Sequence, residues 1–186
     1  MTRASRIRLL TLTSALALLP ALILTGEGGH ATMPAFTERE AAVLAHLRER
    51  LDHVSAERCL SGPGLVNLYS SLAALDGVPA TAYTAAQITD PEIGAQDRLC
   101  REATAMFCAM LGTVAGDLAL TLGAQGGVYI AGGIVPRLGA RFIESGFRAR
   151  FEAKGRLSDY LAAIPTYVVT HPLPAFLGCA VALAES

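Results

Sequence analysis

Apolar residues recur at helical spacing over most of the chain after residue 36, and short unbroken apolar runs separate the periodic stretches. Val43, Leu44, Leu47 and Leu51 fall on one face and Arg39, Glu49 and Arg50 elsewhere, which predicts an amphipathic surface helix. Thr37 opens it, since its hydroxyl can cap the Glu40 amide while the Glu40 carboxylate reaches back. Residues 54–64 break the period, and Pro63 suits the first turn of a second helix carrying Leu65, Leu68, Leu72 and Leu75, stopped by Asp76-Gly77. Residues 77–90 read as a loop with one helical turn at 84–88. Asp90-Pro91 then opens a long helix in which Leu99, Ala103, Met106, Phe107, Met110, Val114 and Leu118 repeat, running to about residue 122. A helix this long and apolar is expected to be the spine of the domain. Gly112 and Gly116 each weaken its helix propensity by about 1 kcal/mol relative to Ala, so close packing against another backbone is expected to compensate.

Beyond it, Val128-Tyr129-Ile130-Ala131 between paired glycines predicts a short buried strand turning sharply into a helix. Residues 136–147 and 151–163 read as helices, 166–170 as a second strand and 174–184 as a terminal helix. Strands alternating with helices indicate an α/β fold, helix-rich, with a small mixed sheet that is at least partly parallel.

The first 25 residues differ in kind. Arg3, Arg6 and Arg8 precede an uncharged run at 9–25, the pattern of a signal peptide or signal anchor. The run nevertheless continues past Ala15 and Ala17 as a signal would not, and Pro20 interrupts it as a span would not welcome. A buried element of the core, or a segment foreign to the rest of the fold, are the other readings. The expected organisation is therefore residues 1–25 as an apolar Arg-led segment and 26–186 as the folded body, with membrane association expected only through 1–25.

Composition narrows the function classes. The chain is 52% apolar and 17% charged, against about 25% charged in an average soluble domain, which excludes disorder. A net charge of -1 offers no attraction for a polyanion, so nucleic acid is not an expected partner. Cys59, Cys100, Cys108 and Cys179 are far apart in apolar runs with no C-x-x-C pair, so reduced core thiols and a reducing compartment are expected.

Three places can carry chemistry. In Gly26-Glu27-Gly28-Gly29-His30 the glycines free the backbone to approach a ligand, and a carboxylate and an imidazole three residues apart can bond neighbouring hydroxyls; the plain alternative is a surface turn. Glu57 lies between apolar segments, either paired with Arg58 or held for a ligand, and Gly62-Pro63-Gly64 resembles a phosphate cradle without the Gly-Lys-Ser/Thr of a P-loop. Glycines at the carboxyl end of the strand at 128–131 lie where open α/β sheets take ligands. Asp117 can touch a ligand or be a satisfied buried group, His46 and His171 read as structural, and no metal site is visible.

E-G-G-H at 27–30, H-V-S-A-E-R at 53–58, L-S-G-P-G-L-V-N-L-Y at 60–69 and G-G-V-Y-I-A-G-G-I-V-P-R at 126–137 together, in this order, resemble the carboxyl-terminal large lobe of bacterial glucokinases. These are ATP-dependent hexose kinases of the actin-like, ribonuclease H-like sugar-kinase fold. The resemblance covers residues 26 to about 183. It implies that Glu27, His30 and Glu57 contact glucose hydroxyls and that Gly132 and Gly133 lie against the adenine nucleotide. It also implies ATP with Mg2+ as co-substrate, glucose phosphorylation to glucose 6-phosphate, and a cytoplasmic setting. The family's Asp-containing glycine-rich phosphate motif, its Asn-Asp pair with the base for the sugar 6-hydroxyl, and the Gly-Thr-Gly before E-G-G-H do not occur in this sequence, so no residue here is assigned as catalytic. Phosphoryl transfer depends on positioning and charge stabilisation, so this chain alone is expected to be a poor kinase, or a non-catalytic sugar-binding or regulatory protein. Residues 1–25 are then expected to come from an alternative start, a shifted frame or a rearranged gene. Self-association as a homodimer through the long helices is expected to cover apolar surface.

Overall fold

The structure, a computed structural model, describes residues 7–10 and 26–184. Among these described residues, ten α-helices and three strands follow in order: β1 (Ile7–Leu10), α1 (Glu38–Arg48), α2 (Gly62–Leu75), α3 (Ala85–Ile88), α4 (Ile93–Gln96), α5 (Arg98–Leu122), β2 (Val128–Ile130), α6 (Ile134–Leu138), α7 (Ala140–Ile143), α8 (Phe147–Glu152), α9 (Ser158–Ala163), β3 (Thr166–Val169) and α10 (Pro174–Ala184). A 3-10 turn at Gly28–His30 precedes α1.

The local signals hold where a cap and a period agree. Thr37 accepts from the Glu40 amide and Glu40 reaches back, giving the expected capping box at α1. Ser61 caps α2, with Pro63 inside its first turn. The long helix starts later than the sequence indicates. Asp90 accepts from the Glu92 and Ile93 amides at 2.8 and 2.9 Å and starts only the short α4. The backbone is extended at Asp97, whose carboxylate accepts from Leu99 and Cys100 at 2.7 and 3.2 Å and starts α5 afresh.

α5 is the spine, packed most extensively against α8 and α2. Among the described residues it is the one helix long and apolar enough to cross a membrane, and half of its most apolar stretch is buried in the fold. Gly112 and Gly116 explain that packing: a Cβ on either would overlap the carbonyl oxygen of Phe147 or Phe151 on α8. Arg150 of α8 clamps the junction, donating to both Glu40 oxygens at 2.6 and 3.1 Å and to Thr113 Oγ1 at 2.8 Å. Buried Arg148 of α8 donates to Glu152 on the same helix at 2.7 Å and ties the helix to the carbonyls of Leu161, Ala162 and Ile164.

Residues 134–163 form four short helices rather than the two expected. Gly139, at φ +53°, breaks α6 from α7, a conformation L side chains avoid. The sheet is wholly parallel among the described residues, in the order β1-β3-β2, and not mixed. β1 comes from the Arg-led segment: Ile7 to Leu10 pair with Thr166 to Val169. The remaining sequence signals in that segment, including 11–25, lie outside the described residues. Of the cysteines, Cys59, Cys100 and Cys108 are free and buried as expected, whereas Cys179 on α10 is exposed.

Candidate functional site

A short antiparallel contact builds the site. The Met33 amide donates to the Val54 carbonyl at 3.0 Å, Ala56 to Ala31 at 2.8 Å, and Glu57 to Gly29 at 2.9 Å, around a bridge between Thr32 and Ser55. Met33, Val54 and Ala56 are buried and anchor this contact to the core. Gly28 leans on α5, where a Cβ would lie 3.7 Å from Leu118 Cδ2. The His30 amide donates to the Glu27 carbonyl at 2.9 Å and closes the 3-10 turn, which puts Glu27 and His30 on one side.

Three side chains therefore converge from two separate stretches. His30 Nε2 lies 3.9 Å from a Glu27 carboxylate oxygen, and His30 Nδ1 lies 3.8 Å from a Glu57 oxygen. Both separations exceed a hydrogen bond, so the groups are close without consuming one another's bonding capacity. All three are exposed, where such ion pairs contribute little to stability. Of the two alternatives for Glu57, pairing with Arg58 is not what the structure shows: the bridge presents the carboxylate toward residues 27–30, where it faces the imidazole.

The loop bearing Glu57 is fixed from below. Ser61 Oγ donates to the Glu57 carbonyl at 2.8 Å and accepts from the Gly64 amide at 3.0 Å. A Cβ on Gly64 would meet the Cys59 carbonyl carbon at 2.5 Å and its oxygen at 2.6 Å. That glycine serves the close approach of α2 to the loop, a packing role the phosphate-cradle reading does not supply.

His30 and Glu57 border a cavity of about 540 Å³ whose wall continues through Arg50, Asp52, His53, Arg58 and Asn67. Thr32 Oγ1 and His53 Nε2 are 2.9 Å apart, and Asn67 Nδ2 donates to the Arg58 carbonyl at 3.0 Å. Asn67 and His53 sit inside the sequence motifs at 60–69 and 53–58, but spacing gave no sign that they face a cavity; only the fold brings the end of α1, the loop and α2 together. Gly132 and Gly133 stand apart, and neither lines this cavity. They follow the carboxyl end of β2, Gly132 at φ +115°, and a Cβ on either would meet nothing within 4 Å. The bend is open-faced.

The other candidates are structural. Asp117 pairs with Lys154 Nζ at 2.6 Å. His46 lies 3.5 Å from Glu49, and His171 Nδ1 accepts from the Leu173 amide at 3.1 Å. Among the described residues no three His, Cys, Asp or Glu side chains group as a metal site.

Residues 20–186 match the family model described as glucokinase. The chain is 59% identical to the glucokinase of Paramagnetospirillum magneticum over 157 residues, 84% of this chain and 49% of that protein. It is 58% identical to the glucokinase of Aromatoleum aromaticum over 160 residues, 86% of this chain and 48% of that protein. A crystal structure of glucokinase from an Antarctic psychrotroph superposes with a TM-score of 0.81 at 41% identity, over 88% of this chain and 51% of that one. The chain thus spans about half the length of the relatives it matches, and over that half it has the actin-like sugar-kinase fold. On the family match, the identities and the shared fold, this chain belongs to the glucokinase family.

Proposed function

We propose that residues 26–184 are the hexose-contacting half of an ATP-dependent kinase that converts glucose to glucose 6-phosphate. The observation that carries this reading is the convergence of Glu27, His30 and Glu57 at 3.8–3.9 Å without direct hydrogen bonds. Carboxylates accept from sugar hydroxyls, and the imidazole can donate through one nitrogen and accept through the other. A site built this way rejects analogues lacking a hydroxyl, because its polar groups are then left unpaired. Gly132 and Gly133 are proposed to lie against the adenine nucleotide, where the open bend at the end of β2 lets a flat ring approach the main chain. No step is assigned to a metal ion.

A second reading is a non-catalytic sugar-binding or regulatory protein. It asks of these residues only that Glu27, His30 and Glu57 bond sugar hydroxyls. A coupled assay for glucose 6-phosphate separates the two: turnover comparable to an ordinary hexose kinase contradicts the second reading. Calorimetry with glucose tests both, with binding expected in the unsubstituted chain and lost in Glu27→Ala. Absence of glucose binding in the folded chain contradicts both. The buried thiols fit a cytoplasmic setting. The exposed apolar residues Leu118, Leu122 and Phe176 are proposed to drive homodimer formation, read by sedimentation.

A further inference from the structure

The geometry points to Ser61 and Asn67 as positioning residues for the Glu57 carboxylate: the hydrogens they donate fix the main chain that aims it into the cavity. For its ligand the inference rests on the hexose reading above; for the brace itself it does not.

The Glu57 carboxylate stands 3.8 Å from His30 Nδ1, outside hydrogen-bond range, so its direction is set by the backbone that carries it. On the amino side, the Glu57 amide donates to the Gly29 carbonyl at 2.9 Å. On the carboxyl side, two successive carbonyls of the loop are taken by side chains from α2 and its cap. Ser61 Oγ donates to the Glu57 carbonyl at 2.8 Å, and Asn67 Nδ2 to the Arg58 carbonyl at 3.0 Å. Both side chains line the cavity that Glu57 borders, so loop, brace and cavity are contiguous.

Each of the two side chains divides its bonding in the same way. Ser61 Oγ accepts from the Gly64 amide at 3.0 Å and so caps α2, while its hydrogen serves the loop. Asn67 Oδ1 accepts from Arg50 Nη2 at 3.4 Å, just past the end of α1, while its amide hydrogen serves the loop. Turning the Asn67 amide over would set its NH2 against the guanidinium and its oxygen against the carbonyl, so these partners fix its orientation. The acceptor half of each residue holds helices, and the donor half holds Glu57. Chemistry can separate the halves: an ionised aspartate keeps the acceptor and has no hydrogen to give.

The test is calorimetry with glucose, together with amide hydrogen exchange followed by nuclear magnetic resonance, on the full chain and on Ser61→Asp, Asn67→Asp, Ser61→Gly and Ser61→Thr. Each aspartate variant is expected to bind glucose about fivefold more weakly, as the loss of one hydrogen bond allows. In both, exchange at the Glu57 amide should accelerate about fivefold while the Gly64 and Leu65 amides of α2 stay as protected as in the parent. Ser61→Gly, which is tolerated at a helix cap and brings neither a donor nor a charge, should match Ser61→Asp in affinity; Ser61→Thr keeps donor and acceptor and should bind as the parent does. Unchanged glucose affinity in the aspartate variants overturns the proposal. So does exchange that accelerates equally at Gly64 and Leu65, because the loss then belongs to the helix, and so does full affinity in Ser61→Gly, because the added charge is then the cause. A parent chain that binds no glucose, with Glu57 exchange still responding to the aspartates, overturns the hexose reading and sustains the brace. Circular dichroism confirms that the variants fold, and if Ser61→Asp does not, Asn67→Asp carries the same comparison.

Discussion

Substituting Gly64 by Ala tests how the fold holds Glu57 in place. The added Cβ would lie 2.5 Å from the Cys59 carbonyl carbon, 2.6 Å from its oxygen and 2.9 Å from its Cα, where ordinary contact begins at 3.4 Å. All three are backbone atoms, so the loop and α2 must separate by roughly 1 Å, whereas a flexible side chain could have turned aside. Separation is resisted by buried Cys59 and Leu65 and by the Ser61 bonds to the Glu57 carbonyl and the Gly64 amide. Overpacking of this kind costs up to about 3 kcal/mol, and replacing Gly by Ala in a helix returns about 1 kcal/mol. A net loss of about 2 kcal/mol follows, worth a melting-temperature drop of about 4–8 °C for a chain of this size. Because the loop that moves carries Glu57, glucose affinity should fall as well. Urea and thermal denaturation followed by circular dichroism measure the first effect, and calorimetry the second. Gly62→Ala is the control, since its Cβ would be 3.8 Å from the nearest atom, Ala85 Cβ, and it should not destabilise the chain, the helix gain of up to about 1 kcal/mol being unopposed there. Equal stability of Gly64→Ala and the parent, or the same loss in Gly62→Ala, would refute the reasoning.

Other expectations follow from buried or capping groups. Burial alone would raise the Glu40 carboxyl pKa, but the bonds from Arg150 and the Phe36 and Thr37 amides outweigh it and hold the group below its ordinary value. Its contribution is therefore present above the unfolded pKa and lost as pH falls through the folded one; Glu40→Gln should cost about 3 kcal/mol near neutrality, and the gap to the parent should narrow in acid. Denaturation curves at pH 7 and below check this, and a gap that widens in acid contradicts it. Asp97→Ala removes the acceptor for two first-turn amides of α5 and should cost about 1 kcal/mol in urea denaturation; no loss would deny the cap its role. Burial pushes the Cys59 thiol up to about 12, and Cys100 and Cys108 to about 11. A thiol reagent at pH 8 should consequently react rapidly with Cys179 alone in the native chain and with all four cysteines after denaturation. More than one rapid equivalent in the native chain would contradict that burial.

What the sequence makes legible is local. Thr37 with Glu40, and Pro63 ahead of four leucines, carry both a cap and a period within one helix, and α1 and α2 follow. The start of α5 is displaced because the sequence reading takes Asp90-Pro91 as its opening, and only the extended backbone at Asp97 shows where the long helix begins. The break at Gly139 depends on a positive φ that composition does not specify. β1 is hidden for a different reason: its pairing partner is more than 150 residues away, and the segment's own pattern reads as a leader. The site divides the same way. Glu27 and His30 are three residues apart and readable as a pair, while Glu57 joins them only through the contact between Thr32 and Ser55, and nothing local marks Arg50, His53 and Asn67 as facing one cavity.

The hexose reading predicts a change at one imidazole. In nitrogen-detected nuclear magnetic resonance of the folded chain, titration with glucose should shift both ring nitrogens of His30 saturably while His46 and His171 stay fixed, and Glu57→Gln should abolish that shift without altering the melting temperature. A His30 ring that does not respond to saturating glucose, or a response unchanged in Glu57→Gln, would contradict the account.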